Sequence, residues 1–123
     1  MPKAKWLVDA LVFRLQAVAP EGFVIEAADS GVEIRERDAT FGLMQGVETI
    51  AYQQGEFAEN IETAAYSVLS GIQDFIAETL TTPWPGEGTM PLPFATVRDG
   101  VLNSGFGDER SPVILFESIT IPQ

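Results

Sequence analysis

The residues of this chain that could do chemistry are carboxylates in two settings, and neither setting has a histidine or cysteine to work with. In the first, Glu26 and Glu33 lie on either side of Asp29-Ser30-Gly31, within a stretch FVIEAADSGVEIRER that alternates apolar and polar residues. A tight turn centred on Asp29 and Ser30 places the two glutamates opposite each other, an arrangement suited to acid and base work or to half of a hard-cation site. The same register puts Phe23, Ile25, Ala27, Val32 and Ile34 on the other face. Glu26 and Glu33 therefore belong to the open side of a sheet with Val24 and Arg35, where the burial that tunes paired carboxylates is missing.

The second setting gathers Asp99, Asn103, Asp108 and Glu109, with Gly100, Gly105 and Gly107 between them. Oxygen donors and glycines in that density fit a carboxylate-only divalent-cation site, which would serve an enzyme or a small-molecule binder. The spacing departs from an EF-hand loop, which needs alternating donors and a glutamate at its end. Gly105-Phe106-Gly107 is followed by neither Lys-Ser/Thr nor a helix signal, so it is no phosphate loop. Turn residues between strands account for the cluster. With no imidazole and no thiolate, zinc sites and Ser-His or Cys-His catalysis are excluded, and no cofactor or catalytic residue is assigned.

The chain has 123 residues, 46% of them hydrophobic, enough for one core without disulfides, and residues 1–123 read as a single domain. Its net charge of −11 is unevenly spread: residues 38–97 carry Asp38, Glu48, Glu56, Glu59, Glu62, Asp74, Glu78 and Glu87 and no base. Such a surface repels phosphate backbones, so direct nucleic-acid binding is not expected. The N-terminal run MPKAKWLVDALVFRLQAVAPEG is interrupted by Asp9, Arg14 and Gln16, so it is neither a signal peptide nor a membrane span, and a cytoplasmic protein is expected.

Residues 3–19 read as a helix with Leu7, Leu11, Leu15 and Val18 on one face and Trp6 and Phe13 in a second apolar strip beside it. The hairpin of residues 23–37 follows. In residues 38–55, Thr40 to Met44 reads as an extension of the second strand and Val47, Ile50 and Ala51 as a short helix. From Glu56 to Leu80 the pattern is clear. Phe57, Ile61, Ala64, Val68, Ile72, Phe75 and Ile76 form the apolar arc, and Glu56, Glu59, Asn60, Thr63, Ser67, Ser70, Asp74 and Glu78 the solvent arc. No base balances those acids. Asp74 and Glu78 form a like-charge i,i+4 pair costing roughly 0.2–0.5 kcal/mol, near the negative end of the helix dipole.

TTPWPGEGTMPLPF then connects to a hairpin turning at Asp99-Gly100, with Val97 opposite Leu102; GFGDERSP reads as the next turn and VILFESITI as a last strand. The expected fold is α+β, an antiparallel sheet of about five strands with two main helices on one face, in the order α-β-β-α-β-β-β. Pro-Trp-Pro and Pro-Leu-Pro lack the PxxP spacing of an SH3 or WW ligand. Trp84 either folds back on the core or anchors a partner.

Gln73-Asp74-Phe75 at the helix end, Pro83-Trp84-Pro85-Gly86, Asp99-Gly100-Val101, Gly107-Asp108-Glu109 and Pro112-Val113 together resemble small acidic bacterial proteins of unassigned function. That likeness covers the last third of the chain, implies a compact cytoplasmic domain and supplies no activity to carry over. The element order and acidity also resemble type III secretion chaperones, a likeness of topology and charge without a shared motif.

The sequence therefore points to a non-enzymatic interaction or chaperone-like domain. It would bind another, basic protein through Glu56, Glu59, Asp74 and Glu78 or through the Trp84 loop, and form a homodimer through Trp6 and Phe13. The competing readings are a divalent-metal enzyme using Asp99, Asp108 and Glu109, and a nucleic-acid mimic.

Overall fold

The computed structural model describes residues 3–86 and 88–122. Its elements run α1 (Lys5–Val18), β1 (Phe23–Ala27), β2 (Gly31–Glu36), β3 (Leu43–Gly46), α2 (Glu48–Ala51), α3 (Phe57–Leu80), β4 (Pro93–Arg98), β5 (Val101–Asp108), β6 (Ser111–Leu115) and β7 (Ile119–Thr120). The expected α+β class holds, but the single five-stranded sheet does not. The strands form two antiparallel sheets, β1-β2-β3 and β4-β5-β6, with β7 also paired to β5.

While α1 packs on the first sheet, the helix α3 packs on both. Its Phe75 ring meets Phe23 of β1 edge-on, with centroids 6.2 Å apart. Ile61, Ala64, Val68, Leu69, Ile72 and Ile76 are all buried in one core with Leu7, Leu11 and Leu15 of α1, Val32 and Ile34 of β2, and Leu102 and Phe106 of β5. Each fully buried leucine or isoleucine there contributes about 1.5–3 kcal/mol. Among the described residues no helix is long and apolar enough to cross a membrane.

The first hairpin has the expected register, with Ile25 opposite Ile34 and Glu26 opposite Glu33. Thr40 to Met44 does not extend β2. The chain reverses there and Leu43–Gly46 returns as β3, with Leu43 opposite Ile34 and Gly46 opposite Gly31. The short helix at Ile50 and Ala51 is present as α2, and it has a further role. The Glu48 carboxylate accepts from the backbone N–H groups of Lys3 at 2.8 Å and Ala4 at 2.7 Å, satisfying donors at the start of α1.

The Asp99-Gly100 turn closes β4 against β5 with φ of 53° and 75°, the left-handed pair that a two-residue hairpin demands, and Val97 stands opposite Leu102. Beyond it the expected boundaries shift. Gly105-Phe106-Gly107 is not a turn but the inner part of β5, and the reversal comes at Glu109-Arg110. Gly105 is there for space: a Cβ on it would collide with the Ile114 carbonyl oxygen, and the Phe94 ring lies across it. The expected last strand is split into β6 and β7 because Arg14 of α1 donates to the carbonyl oxygens of Glu117 (2.7 Å) and Ser118 (3.1 Å), holding the chain out of the ladder between them.

Two of the outer strands have an edge covered by a side chain of a neighbouring helix. Gln16 of α1 accepts from Ile25 N–H at 2.8 Å and donates to the Phe23 carbonyl, covering the edge of β1. Glu62 of α3 accepts from Val97 N–H at 2.7 Å, covering the edge of β4. These contacts remove two templates for unwanted strand pairing.

Candidate functional site

The proline-rich connection is seated by a buried glutamine. Gln73, 1% exposed, donates its amide to the carbonyl oxygens of Trp84 (3.2 Å) and Pro91, tying both ends of the connection to α3. With its backbone anchored, Trp84 packs half-buried against the core, edge-on to Phe106 with ring centroids 5.4 Å apart. Phe106 in turn meets Phe116 edge-on at 6.0 Å. The exposed rim of Trp84 lines a cleft of about 610 Å³ with Pro20, Leu80, Thr82, Pro83, Pro85, Gly86 and Gly88.

A second cleft of about 370 Å³ adjoins it through the shared residues Thr82 and Pro83, and is lined also by Asp74, Ala77, Glu78, Thr81 and Met90. Asp74 and Glu78 are exposed, and among the described residues neither is in an ion pair. Thr81 closes α3 in the left-handed conformation at φ 56°, a position glycine usually fills and a β-branched residue rarely does. The arrangement is an apolar floor with a negative rim.

The expected acidic face of α3 is thus divided. Asp74 and Glu78 come together with the Trp84 loop, whereas Glu56 and Glu59 stand at the other end of the helix, at least about 22 Å away along its axis at 1.5 Å per residue. Near that end, Tyr52 and Phe57 pack with centroids 5.4 Å apart. Asn60, expected on the solvent arc, is 6% exposed, because its amide turns back to donate to the Gln53 carbonyl at 2.9 Å. Glu62 is occupied at the edge of β4, and Glu87 lies outside the described residues.

Trp6 and Phe13, seven positions apart on α1, differ in their surroundings. Trp6 is half-buried with Nε1 3.5 Å from the Tyr52 hydroxyl, while Phe13 is 76% exposed over a shallow groove with Val12, Gln16, Ala17 and Ile25.

Three of the other candidate carboxylates already have hydrogen-bond partners, whereas among the described residues Asp99 and Glu33 have none. Glu109 accepts from Arg98 at 3.0 Å and Thr96 at 3.2 Å, Asp108 accepts from the Arg110 N–H, and Glu26 bonds Arg35 at 3.4 Å. Among the described residues no group of three or more acidic side chains converges to hold a metal ion. Gln73 and Glu62 are the site-building residues that pattern reading passed over. A glutamine or glutamate flanked by apolar helix positions was the only available sign.

Comparison with protein families, with curated proteins and with solved structures returned no match.

Proposed function

We propose that the chain is a non-catalytic protein-interaction domain, and that its binding surface is the acid-rimmed cleft between the end of α3 and the Trp84 loop. One observation carries the reading: three locally unfavourable features meet at that cleft. Asp74 and Glu78 repel each other at i,i+4, Glu78 in the last turn opposes the helix dipole, and Thr81 occupies a left-handed backbone position. Stability surrendered at one place on a chain that otherwise follows local rules is the signature of a site kept for binding.

The partner that fits is a basic, amphipathic protein segment: its apolar residues meet Trp84, Leu80 and Met90 while its lysines or arginines meet Asp74 and Glu78. Electrostatics of this kind govern encounter rate and choice of partner more than tightness. The role is that of an accessory or chaperone-like domain. Affinity capture tests it, comparing wild type with Asp74→Lys/Glu78→Lys and with Glu56→Lys/Glu59→Lys. A partner retained by the second pair and lost with the first supports the cleft; a partner lost only with the second pair moves the site to the other end of α3.

A further inference from the structure

We infer that the segment bound in the acid-rimmed cleft is extended and proline-rich, in the left-handed polyproline form, with a lysine or arginine close to the proline that meets Trp84. This rests on the assignment of that cleft above and names the kind of partner it takes. The cleft of about 610 Å³ sets the rim of Trp84 among Pro20, Pro83 and Pro85, all half-buried. Proline holds its backbone angle fixed, so this surface is formed before a partner arrives. Aromatic-lined grooves of this kind are where proline-rich segments dock.

The indole N–H favours an extended occupant over a helical one. Among the described residues Trp84 Nε1 has no hydrogen-bond acceptor and is not a buried unpaired atom, so its N–H meets solvent. An occupant satisfies this donor with a main-chain carbonyl only where that carbonyl is not already paired. A helix uses its carbonyls internally, whereas the polyproline form leaves every one free.

The acids lie where such a chain would pass next. The adjoining cleft of about 370 Å³ follows the α3 stripe Asp74, Ala77, Glu78 and Thr81, with Pro83 and Met90 across from it. That stripe spans about 10 Å, the reach of roughly three residues of polyproline chain. A bound helix, about 10–12 Å across, needs one continuous groove with anchors a turn apart. Here the two clefts meet at Thr82 and Pro83, which line both. Among the described residues no base lines either cleft, so a lysine or arginine beside Ala77 meets two carboxylates and no like charge.

Nuclear magnetic resonance titration of the full chain tests the inference with two peptides of equal charge. One is Pro-Pro-Lys-Pro-Pro-Arg-Pro-Pro; the other is a helix former built from alanine, leucine, lysine and arginine. The proline-rich peptide is expected to bind and to move the indole N–H resonance of Trp84 downfield while that of Trp6 stays in place. Trp84→Phe, which keeps a ring and loses the donor, weakens this binding about threefold to tenfold. Asp74→Lys/Glu78→Lys weakens it by about tenfold or more. The inference is overturned if the helix former binds as tightly, if the proline-rich peptide does not bind, or if it binds with the Trp84 resonance unmoved or equally well to Asp74→Lys/Glu78→Lys. In each case, loss of the captured protein partner with Asp74→Lys/Glu78→Lys keeps the cleft as the binding surface, which separates the two failures.

Discussion

Trp84 stands edge-on to Phe106, with ring centroids 5.4 Å apart and planes at 71°. The contact joins the proline-rich connection to the second sheet, and Gln73 fixes its height by donating to the Trp84 carbonyl. One side of the indole is thereby core and its rim is cleft, so the residue is structural and available to a ligand at once.

Trp84→Ala removes this ring from a partly buried site and is expected to cost about 2–4 kcal/mol in urea unfolding, with Trp84→Phe losing less than half as much. An alanine variant of unchanged stability would mean that the ring does not pack on Phe106.

Glu62 serves the edge of β4 as a hydrogen-bond acceptor. Glu62→Gln keeps an acceptor for Val97 N–H and is expected to lie within about 0.5 kcal/mol of wild type, whereas Glu62→Ala loses about 1–2 kcal/mol. Hydrogen exchange at Val97 reports the difference directly, with faster exchange in the alanine variant.

Ser104, 1% exposed on the core side of β5, has a hydroxyl without a hydrogen-bond partner among the described residues. Removing an unsatisfied buried hydroxyl relieves its desolvation cost, so Ser104→Ala is expected to be neutral or to stabilise by up to about 1 kcal/mol in thermal melts.

Thr81→Gly relieves the left-handed strain at the end of α3 and is expected to raise stability by about 1 kcal/mol despite the added freedom of the unfolded chain. An unchanged melting temperature would argue that the strain is not a cost carried for the cleft.

The two long helices and the turns at Asp29-Ser30 and Asp99-Gly100 were legible because each is specified by residues close together in the chain: a sustained helical period, or a pair of turn formers between alternating arms. The misread places depend on contacts from far along the chain. Gly105 and Gly107 read as a turn, yet Gly105 is small because Phe94 and the Ile114 carbonyl crowd it. The break between β6 and β7 contains no glycine or proline, and it is made by Arg14, more than a hundred residues upstream. Asn60 looked solvent-facing because its type is polar, and only Gln53 explains its burial. The same limit hid the cleft: Asp74, Glu78 and Trp84 were legible singly as interaction residues, but their convergence follows from Gln73 binding both ends of the proline-rich connection.

The most direct measurement is a paired one on Asp74→Lys/Glu78→Lys: thermal stability, and retention of the partner captured by wild type as salt is raised. Replacing acids by bases at the end of α3 favours the helix dipole while leaving a like-charge pair at i,i+4, so the variant is expected to gain about 0.5–1 kcal/mol. It is expected to lose the partner even at low salt, the two effects moving in opposite directions. A variant that is more stable and still retains the partner with undiminished affinity would contradict the assignment of this cleft as the binding surface.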